Sequence, residues 1–242
     1  MKKTAIITGA SRGIGKACAL KLATCFDCIA INSFTHTDAL EQTRHEIENM
    51  GKECIAVPGD ISDADFVCQF IATVVNSFPN IDLLVNNAGI SYVGLLTDLS
   101  FNQWHQIVDT NLSSVFYCCH EIIPHMLKKK SGHIINISSI WGISGASCEV
   151  AYSATKGGVN AFTRALAKEL APSNIQVNAL ACGAIDTQMN SCFTKEEMEQ
   201  FCEELPAGRL GTPEEIAEAV QNLYLSPSYL TGEIIKIDGG YL

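Results

Sequence analysis

Seven short apolar runs recur along the chain: TAIIT at 4–8, CIAIN at 28–32, CIAV at 54–57, IDLLVNN at 81–87, HIINIS at 133–138, IQVNAL at 175–180 and EIIKID at 233–238. They are rich in β-branched residues and almost continuously apolar, the pattern of strands covered on both faces rather than one. Longer stretches of helical spacing lie between them, among them Gly15 to Thr24, Asp38 to Met50, Asp63 to Phe78 and Tyr152 to Leu170. The alternation predicts an α/β protein, a doubly wound parallel sheet with helices on both faces. No repeat, low-complexity segment or linker divides the chain, so residues 1–242 are expected to form one domain.

Composition narrows what such a domain could do. With 47% apolar residues in 242, the chain can build one large core. A net charge of -10 argues against nucleic acid and anionic membranes as partners, because both demand a basic face. The one basic run, Lys128 to Lys130, reads as a solvated helix end before the turn Ser131-Gly132. No apolar run reaches the roughly 18 residues of a membrane span, and MKKTAIITGA turns into a glycine loop before a signal-peptide core could form. The expected location is cytoplasmic. The 11 cysteines are odd in number and scattered, which suits small core residues in a reducing compartment. Cys25 and Cys28 make a CxxC, but without a second pair or a histidine pattern no metal is expected.

Directly after the first strand comes Gly9-Ala-Ser11-Arg12-Gly13-Ile14-Gly15, opening a helix. Glycines allow a tight turn and close backbone approach, and the unbonded amides of a helix N-terminus attract an anion such as a dinucleotide pyrophosphate. Farther along, Tyr152 and Lys156 stand one helical turn apart, with Ser139 on the preceding loop. Reducing a ketone requires a hydride at carbon and a proton at oxygen. A phenol can give that proton, and a nearby cation is expected to lower its pKa from about 10. Ser139 is placed to hydrogen-bond the carbonyl oxygen. Taken alone, the Tyr152/Lys156 pair would pass for one face of an amphipathic helix.

The spacing TGxxxGxG, Asp60 after the third strand, Asn86-Asn87-Ala88-Gly89 after the fourth, Asn111, Ser139, the YxxxK of Tyr152 and Lys156, and a terminal IDGG together resemble the classical short-chain dehydrogenase/reductase family. The resemblance covers essentially the whole chain and implies a Rossmann-type fold. It implies catalytic roles for Asn111, Ser139, Tyr152 and Lys156, Asn111 as a structural and water-mediated proton relay. It also implies that Lys156 holds the nicotinamide ribose, that Asp60 and Ile61 contact adenine, and that Asn87, Ala88 and Gly89 line the adenosine and ribose side. Gly183, Ile185 and Thr187 would face the nicotinamide, although Cys182 stands where the family usually has proline. That cysteine reads as a small packed replacement.

The second strand ends Asn32-Ser33-Phe34-Thr35, with no acid before Asp38 to bind ribose hydroxyls. With Arg12 in the glycine loop, this favours NADP(H) over NAD. The chain is most similar to the 3-oxoacyl-acyl-carrier-protein reductase branch. SSIWGISGASCEVAYS and LAKELAPSNIQVNA, however, are similar to a Gram-positive sub-branch that reduces a 5-aminopentanone group on elongation factor P. That ketone leads the expectation, because an arginine that carrier-protein reductases show before the sixth strand is replaced by Ser173. A 3-oxoacyl thioester on acyl carrier protein is the alternative. A non-catalytic NADP sensor would be expected to lose Tyr152 or Lys156, and both are present. The segment Gln188 to Phe201 is expected to be a substrate lid, and the resemblance implies a homotetramer.

Overall fold

The computed structural model describes residues 2–78, 80–190 and 194–242. Each apolar run forms a strand: β1 (Thr4–Ile7), β2 (Cys28–Ser33), β3 (Glu53–Pro58), β4 (Ile81–Asn86), β5 (Gly132–Ser139), β6 (Ile175–Cys182) and β7 (Ile234–Ile237). The helices are α1 (Gly13–Leu22), α2 (Thr37–Asn49), α3 (Ala64–Ser77), α4 (Phe101–Val108), α5 (Ser114–Lys129), α6 (Trp141–Ser144), α7 (Val150–Leu170), α8 (Lys195–Glu204) and α9 (Pro213–Tyr224).

The strands make one sheet in the order β3-β2-β1-β4-β5-β6-β7, every pair parallel. Residues of β1, β2 and β6 are buried throughout, which explains why their sequences do not alternate. Edge strands β3 and β7 remain partly exposed. On one face, α1 packs against α9, and Leu22, Phe26, Ile216 and Val220 share a core with Ile7, Ile31 and Val85. On the other, α3 and α5 pack together, and Phe70, Val74, Ile122 and Met126 cover Ile6, Leu84 and Ile134. Crossover helices distributed in this way are what parallel pairing requires.

Buried polar bonds position the long helix α7. Asn86 Nδ2 donates to Asn136 Oδ1 at 2.9 Å, and Asn136 Nδ2 donates to Thr163 Oγ1 at 2.8 Å. The chain from β4 through β5 to α7 is thereby tied across the sheet. Ser138 Oγ adds a 2.7 Å bond to Asn160 Oδ1, and Asn160 Nδ2 bonds the carbonyl of Gly142 at 3.0 Å. Gly142 lies so close to α7 that a Cβ there would fall 2.6 Å from the carbonyl carbon of Lys156. Only glycine lets the α6 turn press against the helix.

Candidate active site

Strand order reverses direction between β1 and β4, and above their C-terminal ends the loops part to form a cleft of about 870 Å³. Open α/β sheets bind ligands at this kind of switch point. One wall is the glycine loop. Gly9 and Gly13 adopt left-handed backbone angles, φ +66° and +53°. A Cβ on Gly15 would sit 2.2 Å from the Gly9 carbonyl oxygen and 2.5 Å from Asn87 Nδ2. Asn87 Nδ2 donates to the carbonyls of Thr8 and Gly9 at 2.9 and 3.1 Å, while Thr8 Oγ1 accepts from the amides of Asn87 and Ala88 at 3.0 Å each. The loops after β1 and β4 are therefore locked together. Arg12, extended at the N-cap of α1, gives the first-turn amides no side-chain bond, leaving them suited to an anion.

Ser11, Ile14, Asn32, Ser33, Asp60, Ile61, Ala88, Gly89, Gly183, Ile185 and Thr187 line the same cleft. Several of their polar groups shape it from within. Asn32 Nδ2 donates to the carbonyls of Val57 and Gly59, both at 3.0 Å, and the hydroxyls of Ser11 and Ser33 are 2.9 Å apart. Asp60 Oδ1 accepts from the Ser62 amide at 2.9 Å and its hydroxyl at 2.7 Å. Arg12 is exposed at the rim, where its guanidinium donates to Gln188 Oε1.

At the other end of the cleft, β5 delivers Ser139 and α7 delivers Tyr152 and Lys156. The hydroxyls of Tyr152 and Ser139 line this end together, and Ser139 Oγ accepts from the Trp141 amide at 3.1 Å. Lys156 is only 4% exposed. Its Nζ donates to the Ile137 carbonyl at 2.8 Å and lies 5.6 Å from the centroid of the Tyr152 ring. The expected lowering of the phenol pKa is not what this geometry yields. Burial pushes the Tyr152 phenol up, the Cys182 and Glu149 sites add to the rise, and Ser139 opposes it. Burial also pulls Lys156 down to about 8. Desolvation favours the neutral form of each group and is the largest cause of both shifts.

Asn111 is the one expected site residue outside the cleft lining. It is buried within a π-helical turn, Asp109–Ser113, that joins α4 to α5. Its Oδ1 accepts from the Ile90 amide and its Nδ2 donates to the Ile90 carbonyl, both at 2.8 Å. Nδ2 also reaches Thr155 Oγ1 at 3.3 Å, and that hydroxyl donates to the Tyr152 carbonyl at 2.8 Å. Asn111 thus links the loop after β4 to the helix carrying Tyr152, a wide turn of the kind that recurs at functional sites.

Of the expected lid, Gln188–Asn190 form a short 3-10 turn and residues 191–193 lie outside the described residues. Helix α8 follows, started by a Thr194/Glu197 capping box, and gives Met198, Phe201 and Glu204 to the cleft. Cys182 closes β6 at 5% exposure, and burial raises its thiol to about 12, the state of a packed thiol. Sequence reasoning gave no site role to Phe34, Thr35 and His36 beyond β2, or to Trp141 and Glu149 at the Tyr152 end. The first three follow a strand whose C-terminal end had to face the crevice. Glu149 lies one helical turn before Tyr152.

A glycine-walled crevice at the switch point of a parallel sheet, with a phenol, a hydroxyl and an amine at one end, defines a Rossmann-type oxidoreductase. The chain belongs to the short-chain dehydrogenase family, whose model matches residues 3–198. It is 42% identical over 240 residues to a 3-oxoacyl-[acyl-carrier-protein] reductase of Synechocystis sp., covering 98% of this chain and 96% of the relative. The uncharacterized oxidoreductase YmfI of Bacillus subtilis is 40% identical, covering 100% and 99%. A crystal structure assigned to a short-chain alcohol dehydrogenase from Sinorhizobium meliloti superposes with a TM-score of 0.93 at 34% identity, covering 99% of this chain and 96% of that one.

Proposed function

We propose that the protein is an NADPH-dependent reductase of 3-oxoacyl thioesters carried on acyl carrier protein. The observation that carries the reductase reading is the grouping of Tyr152, Ser139 and Lys156 at one end of the cleft that the glycine loop walls, the Lys156 amine 5.6 Å from the centre of the Tyr152 ring. The choice of ketone follows the 42% identity to a relative of that name. On the same grounds, the 5-aminopentanone group of elongation factor P moves from leading expectation to second substrate.

The cleft fits a dinucleotide: added Cβ atoms at Gly9 and Gly15 would collide with the loop backbone, and the amides at the start of α1 lack side-chain caps. Gly9, Ser11, Arg12, Gly13, Ile14 and Gly15 would hold its phosphates. Asn32, Ser33, Asp60 and Ile61 would border the adenosine, and Asn87 to Gly89, Gly183, Ile185 and Thr187 would continue to the nicotinamide. NADPH, when bound, supplies the hydride.

The protein's own residues manage the proton. Ser139 and Tyr152 both present hydroxyls to a carbonyl oxygen, stabilising the charge that grows there. Burial keeps Tyr152 a phenol until the ketone arrives, so the proton is in place when it is needed. As the proton leaves, Lys156 at 5.6 Å offsets the phenolate charge. Asn111 fixes the register between this helix and the loop after β4.

Homotetramer assembly belongs to the same proposal. Phe116, half exposed, joins Leu112, Tyr117 and Phe162 in an apolar depression between α5 and α7 that a second copy would cover. Light scattering on the purified protein tests it, and a monomer would count against it.

The function itself is tested by following NADPH oxidation with a 3-oxoacyl thioester. Turnover supports the reading. Binding of NADPH without reduction of the thioester removes this substrate and makes ketone-modified elongation factor P the next to assay.

A further inference from the structure

Helix α8 borders the cleft without a core of its own. None of its residues is buried, and its sequence, KEEMEQFCEE, is mostly charged. A helix of this length is marginal in water on propensity alone, so its position depends on contacts with the rest of the chain. Leu205, its buried C-cap residue, anchors one end. Within the helix, Phe201 packs on Tyr241, with ring centroids 5.8 Å apart and planes at 59°.

Tyr241 is itself firmly placed. It lies beyond β7 in the segment 238–242, where the Asp238 carboxylate accepts from the amides of Gly240 and Leu242 at 3.0 and 3.1 Å. A Cβ on Gly239 would fall 2.9 Å from Ala207 Cβ, and one on Gly183 would fall 2.8 Å from Asp238 Cα. The segment is thus pressed between the loop after β6 and the chain just past α8. The ring of Tyr241 also stands edge-on to Trp141, at 5.9 Å and 79°. Trp141 belongs to the turn after β5, and its amide bonds Ser139 Oγ at 3.1 Å. Trp141 and Phe201 line the cleft, whereas Tyr241 stands behind them.

We propose that Tyr241 is a positioning residue for the substrate end of the cleft, its ring seating Phe201 and Trp141 so that α8 is held beside Ser139 and Tyr152. The proposal rests on the reductase reading above. Tyr241 acts through the two rings it touches and makes no contact with the glycine loop, so it governs the hold on the ketone substrate and not the hold on NADPH. The ring is what matters: edge-on and tilted contacts of this kind favour an aromatic side chain over an aliphatic one of equal bulk.

The test uses Tyr241→Ala, Tyr241→Phe, Phe201→Ala and the double variant Phe201→Ala/Tyr241→Ala. In Tyr241→Ala, KM for a 3-oxoacyl thioester should rise roughly three- to tenfold, the worth of such ring contacts, while kcat and the NADPH affinity read by fluorescence scarcely move. Hydrogen exchange of the α8 amides should quicken by a similar factor, because the helix leaves its seat more often. Tyr241→Phe should match the parent in both readouts. The double variant should be little worse than Phe201→Ala, since Tyr241 acts on α8 through that ring. Parent-like KM and α8 exchange in Tyr241→Ala overturn the proposal. So do losses in Tyr241→Phe equal to those in Tyr241→Ala, or an NADPH affinity that falls as far as the thioester's. Should Tyr241→Ala not fold, Tyr241→Leu keeps bulk and removes the ring, with the same expected and overturning results. A parent without turnover shows that the reductase reading has failed. Exchange of α8 then still decides whether Tyr241 seats the helix, and an unchanged rate in Tyr241→Ala overturns it.

Discussion

The amine of Lys156 lies 5.6 Å from the centre of the Tyr152 ring and is bonded to a backbone carbonyl, that of Ile137, at 2.8 Å. Burial moves the two groups in opposite directions, the phenol up and the ammonium down to about 8. Both shifts favour neutral forms. A phenol and a weakened ammonium form a site ready to give a proton, whereas a phenolate–ammonium pair would be ready to take one.

A buried amine has a cost in stability that depends on pH. Lys156 falls from 10.5 to about 8 on folding, so below about pH 8 the folded state carries the full penalty of a desolvated ammonium. The penalty fades as pH rises toward 10.5, where the unfolded chain also loses the proton. Lys156→Met keeps the volume and removes the charge, though it leaves the Ile137 carbonyl without this donor. It should stabilise the protein at pH 7 by roughly 1–2 kcal/mol, once that lost bond is counted. Urea unfolding at several pH values reads this directly, and the advantage should shrink between pH 8 and 10. A constant difference would mean that Lys156 does not titrate in that window.

Tyr152→Phe keeps the ring and removes the proton. Turnover should fall by about 10²-fold or more. NADPH affinity, measured by fluorescence, should change little, because the glycine loop and the loops after β3, β4 and β6 are untouched. Turnover near that of the parent would sink the assignment of Tyr152 as proton donor.

The inner strands were legible because they are buried on both faces and so read as nearly unbroken apolar runs, as in β2 and β6. The glycine loop and the Tyr152/Lys156 pair were legible because the residues that form each motif stand within one loop or one helical turn of each other. What escaped depends on contacts across the fold. The π-helical turn at Asn111 is specified by its bonds to Ile90 and Thr155, residues distant in sequence. The direction of the Tyr152 shift escaped for a similar reason: a one-turn spacing announces the lysine but not the burial that raises the phenol. Glu149 has no motif at all, and only the folded chain brings it to the lining of the cleft.

Gly15→Ala tests the interlock beneath the cofactor cleft. The new methyl group would meet the Gly9 carbonyl oxygen at 2.2 Å and Asn87 Nδ2 at 2.5 Å, both fixed by the bonds that tie β1 to β4. The backbone must shift, with a stability loss of roughly 1–3 kcal/mol. NADPH binding should weaken further than that loss explains, because the amides at the start of α1 move with the loop. A variant that binds NADPH like the parent would show that the loop does not cradle the phosphates.

Cofactor preference provides a last test, with Arg12 as its lever. The end of β2 offers no carboxylate to ribose hydroxyls. Asn32 is bonded to the carbonyls of Val57 and Gly59, and Ser33 is shared with Ser11. The Ser11–Ser33 contact also brings the glycine loop alongside the end of β2, and the Ala10 amide bonds the Asn32 carbonyl at 2.9 Å. Arg12 follows directly, exposed and bonded across the mouth to the neutral Gln188. A guanidinium there would receive the 2′-phosphate of NADPH and find no counterpart on NADH. A hydrogen bond to a charged group contributes about 1.5–3 kcal/mol, so Arg12→Ser should raise KM for NADPH by roughly tenfold or more. KM for NADH should scarcely move, and the ratio of the two kcat/KM values reports the change. Equal losses with both cofactors would make Arg12 a structural rim residue and return the choice of cofactor to the loop after β2, where Phe34, Thr35 and His36 border the cleft.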